Sequence, residues 1–397
     1  MKIITTTQEL SDICGRFAEE DFVTVDTEFM RERTYWPKLC LIQMASQSHE
    51  AMVDPLAKDI ALDPFFRLMG DTGTVKVFHS ARQDIEIMCH MGDVIPKPLF
   101  DTQVAAMVCG FGDSVGYENL VRKLVGARID KTSRFTDWSH RPLSEKQLKY
   151  ALSDVTHLRG AYAKLKKQLD KNGREAWLAE EMAILESPST YRTEPENAWK
   201  RLKYRARTKR NLAVFIEAAA WREREAQKRD VPRNRILKDE ALAEIATQIP
   251  SEPGDFRRLR AVPRGFGESQ QAFALLKGVK QALDGPMDHV PEVKYDAAAA
   301  LPKPGAIVEV LKVALRIASE RHRVAQKLIA SVGDLEQIAH DDEADVRALK
   351  GWRRELFGEA ALALKHGRMC IVIEDGEALF VPRDGAETEL PMAVSAE

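Results

Sequence analysis

Cysteine is scarce in this chain of 397 residues: Cys14, Cys40, Cys89, Cys109 and Cys370 lie far apart, and no Cys-x-x-Cys pair occurs. That usage excludes a thiolate zinc site and fits a reducing compartment. Long apolar runs are missing too, since none approaches the roughly 20 residues that cross a bilayer. The start, MKIITTTQELSDICGRF, lacks the apolar stretch ending in small residues that marks a signal peptide. A soluble cytoplasmic protein is the expectation. Nor is there an excess of charge of one sign: 59 Lys+Arg against 61 Asp+Glu leaves −2. Any affinity for nucleic acid must therefore come from local patches.

What is there changes character along the chain. Residues 1–190 mix strands with helices. FVTVDTEFM (22–30), LCLIQMAS and EAMVD read as an antiparallel meander, whereas VKVFH and PLFD each run into a helix, which indicates a mixed sheet covered by helices. Residues 191–285 hold a basic stretch and a helical module, and 286–304 read as a Pro- and Ala-rich linker between Gly285 and Gly305. A second helical module follows over 305–370. The tail, 371–397, carries a hairpin signal at Asp375-Gly376. The modules resemble each other: WREREAQKRDVPRNRILKDEALAEIA (221–246) and ASERHRVAQKLIASVGDLEQIA (318–339) share Ala-Gln-Lys and Leu-x-x-Ile-Ala. Aligned on both blocks, the second copy lacks about six residues around Asp230–Asn234.

The informative residues are acids. Strand alternation puts Asp26 and Glu28 on one face with Phe22, Thr24 and Met30, roughly 6.5–7 Å apart. Like charges that close resist joint ionisation unless a cation lies between them. Further along, Ser144-x-x-Gln147 forms a capping box, flanked by Leu143 and Leu148 as a hydrophobic staple. From that fixed start, Leu148, Ala151, Leu152, Val155 and Leu158 make one apolar stripe. Tyr150 and Asp154 lie off it, one turn apart on a shared patch. Asp84 stands in the first turn of the helix after VKVFH, at the sheet's carboxyl edge. Asp26, Glu28, Asp84 and Asp154 make an oxygen donor set for two Mg²⁺ or Mn²⁺ about 3.5–4 Å apart. Such a pair supports phosphodiester hydrolysis, with Tyr150 placed to orient the attacking water and help take its proton.

Asp-x-Glu in VDTEF, Asp84 in HSARQDIEIM and Tyr-x-x-x-Asp in YALSD resemble the three exonuclease motifs of the DEDD superfamily. The tyrosine puts the resemblance in the DEDDy branch; the catalytic histidine of the other branch would fall at Lys149. DTEFMRERTYWPKLCLIQ, LFDTQVAAM, LVGARIDKTSRFTDWSHRPLSEKQLKYALSDV and the helical repeats resemble the bacterial ribonuclease D family over nearly the whole chain. The resemblance implies an α/β ribonuclease-H-like mixed-sheet exonuclease domain followed by two all-α helical-bundle domains of HRDC type. It implies catalysis by Asp26, Glu28, Asp84, Tyr150 and Asp154, the four acids holding metal. The implied activity is metal-dependent 3′→5′ removal of nucleoside 5′-monophosphates from RNA, with tRNA precursors as substrates. The 305–370 copy departs from the HRDC pattern, lacking Val-Pro-Arg. The same chemistry on DNA, and a non-catalytic RNA-binding adaptor, stay open as alternatives.

Other residues have plainer readings. His79 is expected to be packed, His157 to sit on the surface, and Asp101 to cap a helix rather than bind metal. Trp138 suits either the core or stacking on a base. Lys200, Arg201, Lys203, Arg205, Arg207, Lys209 and Arg210 form a basic run that either guides RNA phosphates or is a solvated face. Arg222, Arg224, Lys228, Arg229, Arg233 and Arg235 add cations for phosphate in the first module.

Overall fold

The computed structural model describes residues 2–130, 132–133, 136–293 and 305–383. A five-stranded sheet in the order β3-β2-β1-β4-β5 organises the first half. Its strands are β1 (Phe22–Met30), β2 (Lys38–Ala45), β3 (Glu50–Val53), β4 (Val75–Phe78) and β5 (Leu99–Asp101). The first three form the antiparallel meander that their short connections suggest; β4 and β5 run parallel to β1, each reached through a helical crossover. The strands differ in length, and that matters. Only Phe22, Val23 and Thr24 pair with β4, so the rest of β1 keeps β2 on one side and leaves its other edge open.

Helices α1 (Thr7–Ala18), α2 (Asp63–Gly70), α3 (Arg82–Gly92), α4 (Thr102–Val108), α5 (Tyr117–Leu124) and α6 (Glu145–Asn172) cover this sheet, and α7 (Glu175–Leu185) follows. The expected box starts α6: Gln147 N–H donates to Ser144 Oγ at 3.3 Å, and Gln147 Oε1 accepts the Ser144 N–H at 3.0 Å. Of its expected stripe, Leu148, Ala151, Val155 and Leu158 are buried and Leu152 is half-buried, each buried leucine contributing about 1.5–3 kcal/mol. Thr24 Oγ1 lies 2.8 Å from Ala45 O and 2.9 Å from Val155 O, which ties the centre of β1 to the middle of α6.

The first helical module comprises α8 (Lys209–Arg229), α9 (Arg233–Ile236), α10 (Asp239–Gln248) and α11 (Gln270–Asp284). The second comprises α12 (Gly305–His322), α13 (Gln326–Ile329), α14 (Val332–His340), α15 (Gly351–Arg353), a π turn (Arg354–Gly358) and α16 (Glu359–Lys365). A hairpin of β6 (Met369–Glu374) and β7 (Glu377–Pro382) follows, turning at Asp375 and Gly376 with φ of 51° and 83°. Residues 294–304 of the expected linker and 384–397 of the tail lie outside the described residues. No described helix is long and apolar enough to cross a membrane.

The two modules correct the sequence alignment. Each has an elbow at a left-handed residue, Asp230 (φ 47°) and Arg323 (φ 50°), followed by a four-residue helix. With the elbows matched, Val231 falls on Val324, Ile236 on Ile329, Leu242 on Leu335 and Ala246 on Ala339, with no gap. The expected loss of about six residues is therefore wrong. The Ala-Gln-Lys triplets that suggested it are not equivalent: 226–228 end α8, whereas 325–327 lead into α13. The second copy differs by substitution, with Arg323, Ala325 and Gln326 where the first has Asp230, Pro232 and Arg233.

Both elbows dock on the α/β domain, at different places. Asp230 Oδ1 accepts the backbone N–H groups of Tyr35 and Trp36 in the β1–β2 loop, at 3.0 and 2.9 Å. The second elbow takes the end of α4: Ala325 N–H donates to Met107 O at 3.0 Å, and Arg174 donates to the carbonyls of Val108, His322 and Arg323. Gly110, at φ 85°, sits against this elbow, and a Cβ there would come within 2.6 Å of Arg323 O. Trp177 of α7 stacks on Trp352 at 4.4 Å, with the guanidinium of Arg174 over one ring and that of Arg353 over the other.

Candidate active site

The open edge of β1 carries Asp26 and Glu28, and α6 supplies Asp154 one turn after Tyr150. A carboxylate oxygen from each of Asp26, Glu28 and Asp154 lies within 4.8 Å of the other two. Asp84 comes from the first turn of α3. It lines the same cleft of about 450 Å³, together with Tyr150, Tyr117 and His79, but stands outside the three mutually close acids. Its carboxylate accepts a hydrogen bond from Thr27, whose hydroxyl projects from the other face of β1. The strand thus serves the cleft from both faces, two acids on one and the support for Asp84 on the other.

The turn into α3 is held by Asp101. Its carboxylate accepts from Gln103 N (2.8 Å) and Val104 N (3.4 Å), as a cap of α4 should, and also from Ser80 N (3.0 Å) and Ala81 N (2.8 Å). With Ser80 at φ 65°, this bracing fixes a strained turn four residues before Asp84.

Crowding of acids sets the electrostatics. Burial pushes the Asp26 carboxyl well above the usual range, and the charges of Asp84, Asp154 and Glu28 push it further. Burial raises Asp84 to about 7, against the opposing hydrogen bond from Thr27. Tyr150 is also pushed up, by burial first and then by Asp154, Glu28 and Asp26. A set made only of carboxylates fits a hard dication, which removes the mutual repulsion that keeps protons on the cluster.

Several other residues find definite places. Trp138 is 2% exposed, in a core with Leu143 and Leu148 beneath Tyr150, so its ring does not reach a base. Lys149 points outward and pairs with Glu145 at 3.9 Å. His79 Nδ1 lies 3.0 Å from Thr102 Oγ1 and its ring packs on Tyr117. His157 is partly exposed on α6. Tyr117 went unnoticed in the sequence; its hydroxyl donates to Ser153 O at 3.1 Å, bracing the turn of α6 between Tyr150 and Asp154. Nothing local in Gly-Tyr-Glu-Asn signals that partner. Among the arginines expected to meet phosphate, Arg222 is 3% exposed and bound to Leu237 O and Asp239. Arg224 pairs with Glu196 and Glu217, and Arg233 with Glu223. Lys228, Arg229 and Arg235 remain exposed.

Comparison with known proteins agrees with this architecture. A family model described as 3′-5′ exonuclease matches residues 1–170, and one for the HRDC domain matches 211–271. Ribonuclease D of Nitrobacter hamburgensis is 53% identical, over 96% of this chain and 100% of the relative. Ribonuclease D of Granulibacter bethesdensis is 48% identical, over 94% of each. The crystal structure of Escherichia coli RNase D, an exoribonuclease involved in structured RNA processing, matches with a TM-score of 0.78 at 29% identity, covering 92% of this chain and 98% of that one. In sequence over almost its full length, and in fold, the chain belongs to the ribonuclease D family of divalent-metal-dependent 3′→5′ exoribonucleases.

Proposed function

We propose that Asp26, Glu28, Asp84 and Asp154 hold two divalent cations, Mg²⁺ or Mn²⁺, and that Tyr150 completes the catalytic set. The observation that carries this is the approach of Asp26, Glu28 and Asp154 to within 4.8 Å, with Asp84 in the same cleft. When bound, the cations supply a nucleophile from water and stabilise the departing oxygen of the phosphodiester. The chain's own groups do the rest. Tyr150 hydrogen-bonds the attacking water, orients it on the 3′-terminal phosphodiester and helps take its proton. Thr27 holds Asp84, and Tyr117 holds the α6 turn. A P–O bond forms to water and the P–O3′ bond breaks, releasing a nucleoside 5′-monophosphate and leaving a new 3′-hydroxyl on the shortened RNA.

The substrates in this reading are tRNA precursors with extra 3′ residues. The basic run supports a path for RNA leading to the α/β domain. Residues 202–207 alternate half-buried Leu202, Tyr204 and Ala206 with exposed Lys203, Arg205 and Arg207. Those three cations have no ion pair among the described residues, whereas Lys209 is paired with Glu292. The division of labour follows as 1–190 for chemistry, 191–285 and 305–370 as two HRDC-type modules, 286–304 as a linker and 371–397 as a tail. The deciding experiment incubates purified protein with a 3′-extended tRNA and a matched DNA strand, in Mg²⁺ and in EDTA. A ladder shortening from the RNA 3′ end, absent in chelator, is expected. Equal turnover of the DNA would overturn RNA as the substrate.

A further inference from the structure

The β1–β2 loop, residues 31–37, leaves the metal-binding strand and makes contacts in two directions. Towards the active site it grips α3, the helix that carries Asp84 in its first turn. Arg31 forms a two-pronged pair with Glu86 at 2.7 and 2.7 Å, and Trp36 stacks flat on His90 with ring centroids 3.8 Å apart. Away from the site it is held by the first helical module. Tyr35 is 5% exposed within that module's core. Its hydroxyl donates to Glu223 and accepts from Gln227 (3.1 Å) and Arg233 (2.9 Å), with the Arg233 guanidinium 4.6 Å above its ring. Asp230 takes the backbone N–H groups of Tyr35 and Trp36. The residues that do this are those in which the two modules differ, so the grip is specific to the first.

We infer that the first helical module is a positioning element for the catalytic centre, acting through Asp230 and Tyr35 on the β1–β2 loop. Holding that loop keeps Asp26 and Glu28 of β1 in register with Asp84 of α3, which share no strand pairing. Asp230 and Tyr35 touch neither substrate nor metal; they are positioning residues. The inference rests on the metal-site reading proposed above.

The test uses the full chain and two probes, a diribonucleotide too short to span the modules and a 3′-extended tRNA. Asp230→Gly keeps the left-handed turn but removes the acceptor; Asp230→Asn keeps both. Tyr35→Phe, which retains the ring, is the second variant. For Asp230→Gly, kcat on the diribonucleotide is expected to fall about tenfold with KM unchanged. Mn²⁺ binding without substrate, read by electron paramagnetic resonance, should weaken in parallel. Asp230→Asn should restore both. Unchanged kcat and Mn²⁺ binding, with a defect confined to KM for tRNA, would overturn the inference and leave the module as an RNA holder. A fall in kcat that merely tracks the unfolded fraction in thermal melts would overturn it too. If Asp26→Ala retains wild-type turnover and Mn²⁺ binding, the metal-site reading fails and takes this inference with it. Loss in Asp26→Ala beside wild-type behaviour in Asp230→Gly and Tyr35→Phe sinks the positioning role alone.

Discussion

Asp84 depends on two residues that do no chemistry themselves, Thr27 and Asp101, one holding its carboxylate and the other its backbone turn. Replacing Asp84 or Asp26 by Ala is expected to lower kcat on RNA by on the order of 100-fold or more, and Tyr150→Phe by roughly 100-fold, because in the proposed mechanism each removes a group that acts on the reacting phosphate. Single-turnover kinetics in saturating Mg²⁺ would check this, and near-normal turnover in Asp84→Ala would refute the four-acid site. The titration of Asp84 adds a pH dependence. Its folded value of about 7 lies above that of an unfolded chain. Its contribution to the stability of metal-free protein is thus full below about pH 4 and lost as pH rises through 7. The melting temperature in EDTA is expected to fall between about pH 4 and 7, while Mn²⁺ should stabilise more at the upper end, where protons no longer compete. A metal-free melting temperature that rises across that interval would contradict the assignment.

Among the elements, β1 and α6 carry most of the site, and they were legible to different degrees. The capping box and apolar stripe of α6 are local signals, so the shared patch of Tyr150 and Asp154 follows from residues 143–158 alone. Removing the cap with Ser144→Ala is expected to cost about 1 kcal/mol, read as a lower melting temperature with KM for RNA unchanged. For β1, alternation correctly set Asp26 and Glu28 side by side. It gave no hint that Thr27, facing away, supports the fourth acid, because that depends on where β4 stops pairing. The repeats misled for the opposite reason: identical triplets outweighed a weaker pattern of matched apolar positions, and only the left-handed elbows set the true register.

At the scale of the whole molecule, the second module is built into the α/β domain rather than tethered to it. Arg353, 4% exposed, pairs with Glu180 at 2.7 Å and with Glu181, which is itself buried. Arg353→Ala is expected to destabilise the protein by about 2 kcal/mol, since Leu328 O and Glu180 each lose a donor while Glu181 keeps Arg347. Arg257→Ala breaks an exposed pair with Glu268 and should shift stability by about 0.5 kcal/mol or less. Thermal unfolding of the two variants side by side checks the contrast; equal effects would mean that the Arg353 cluster does not fasten the second module to α7.

By itself the sequence determined what local physics controls: which strand carries two acids, where α6 starts and which way its faces point. The tertiary structure decided which distant groups meet. Tyr35 and Glu223 are 188 residues apart, and nothing in either neighbourhood announces the other. The same holds for the arginines of the first module, where identical charge is spent inside the fold at Arg222 and left to solvent at Arg229. Periodicity and capping act over a few residues and can be read along the chain. Docking and charge pairing depend on surfaces that exist only once the chain has closed on itself.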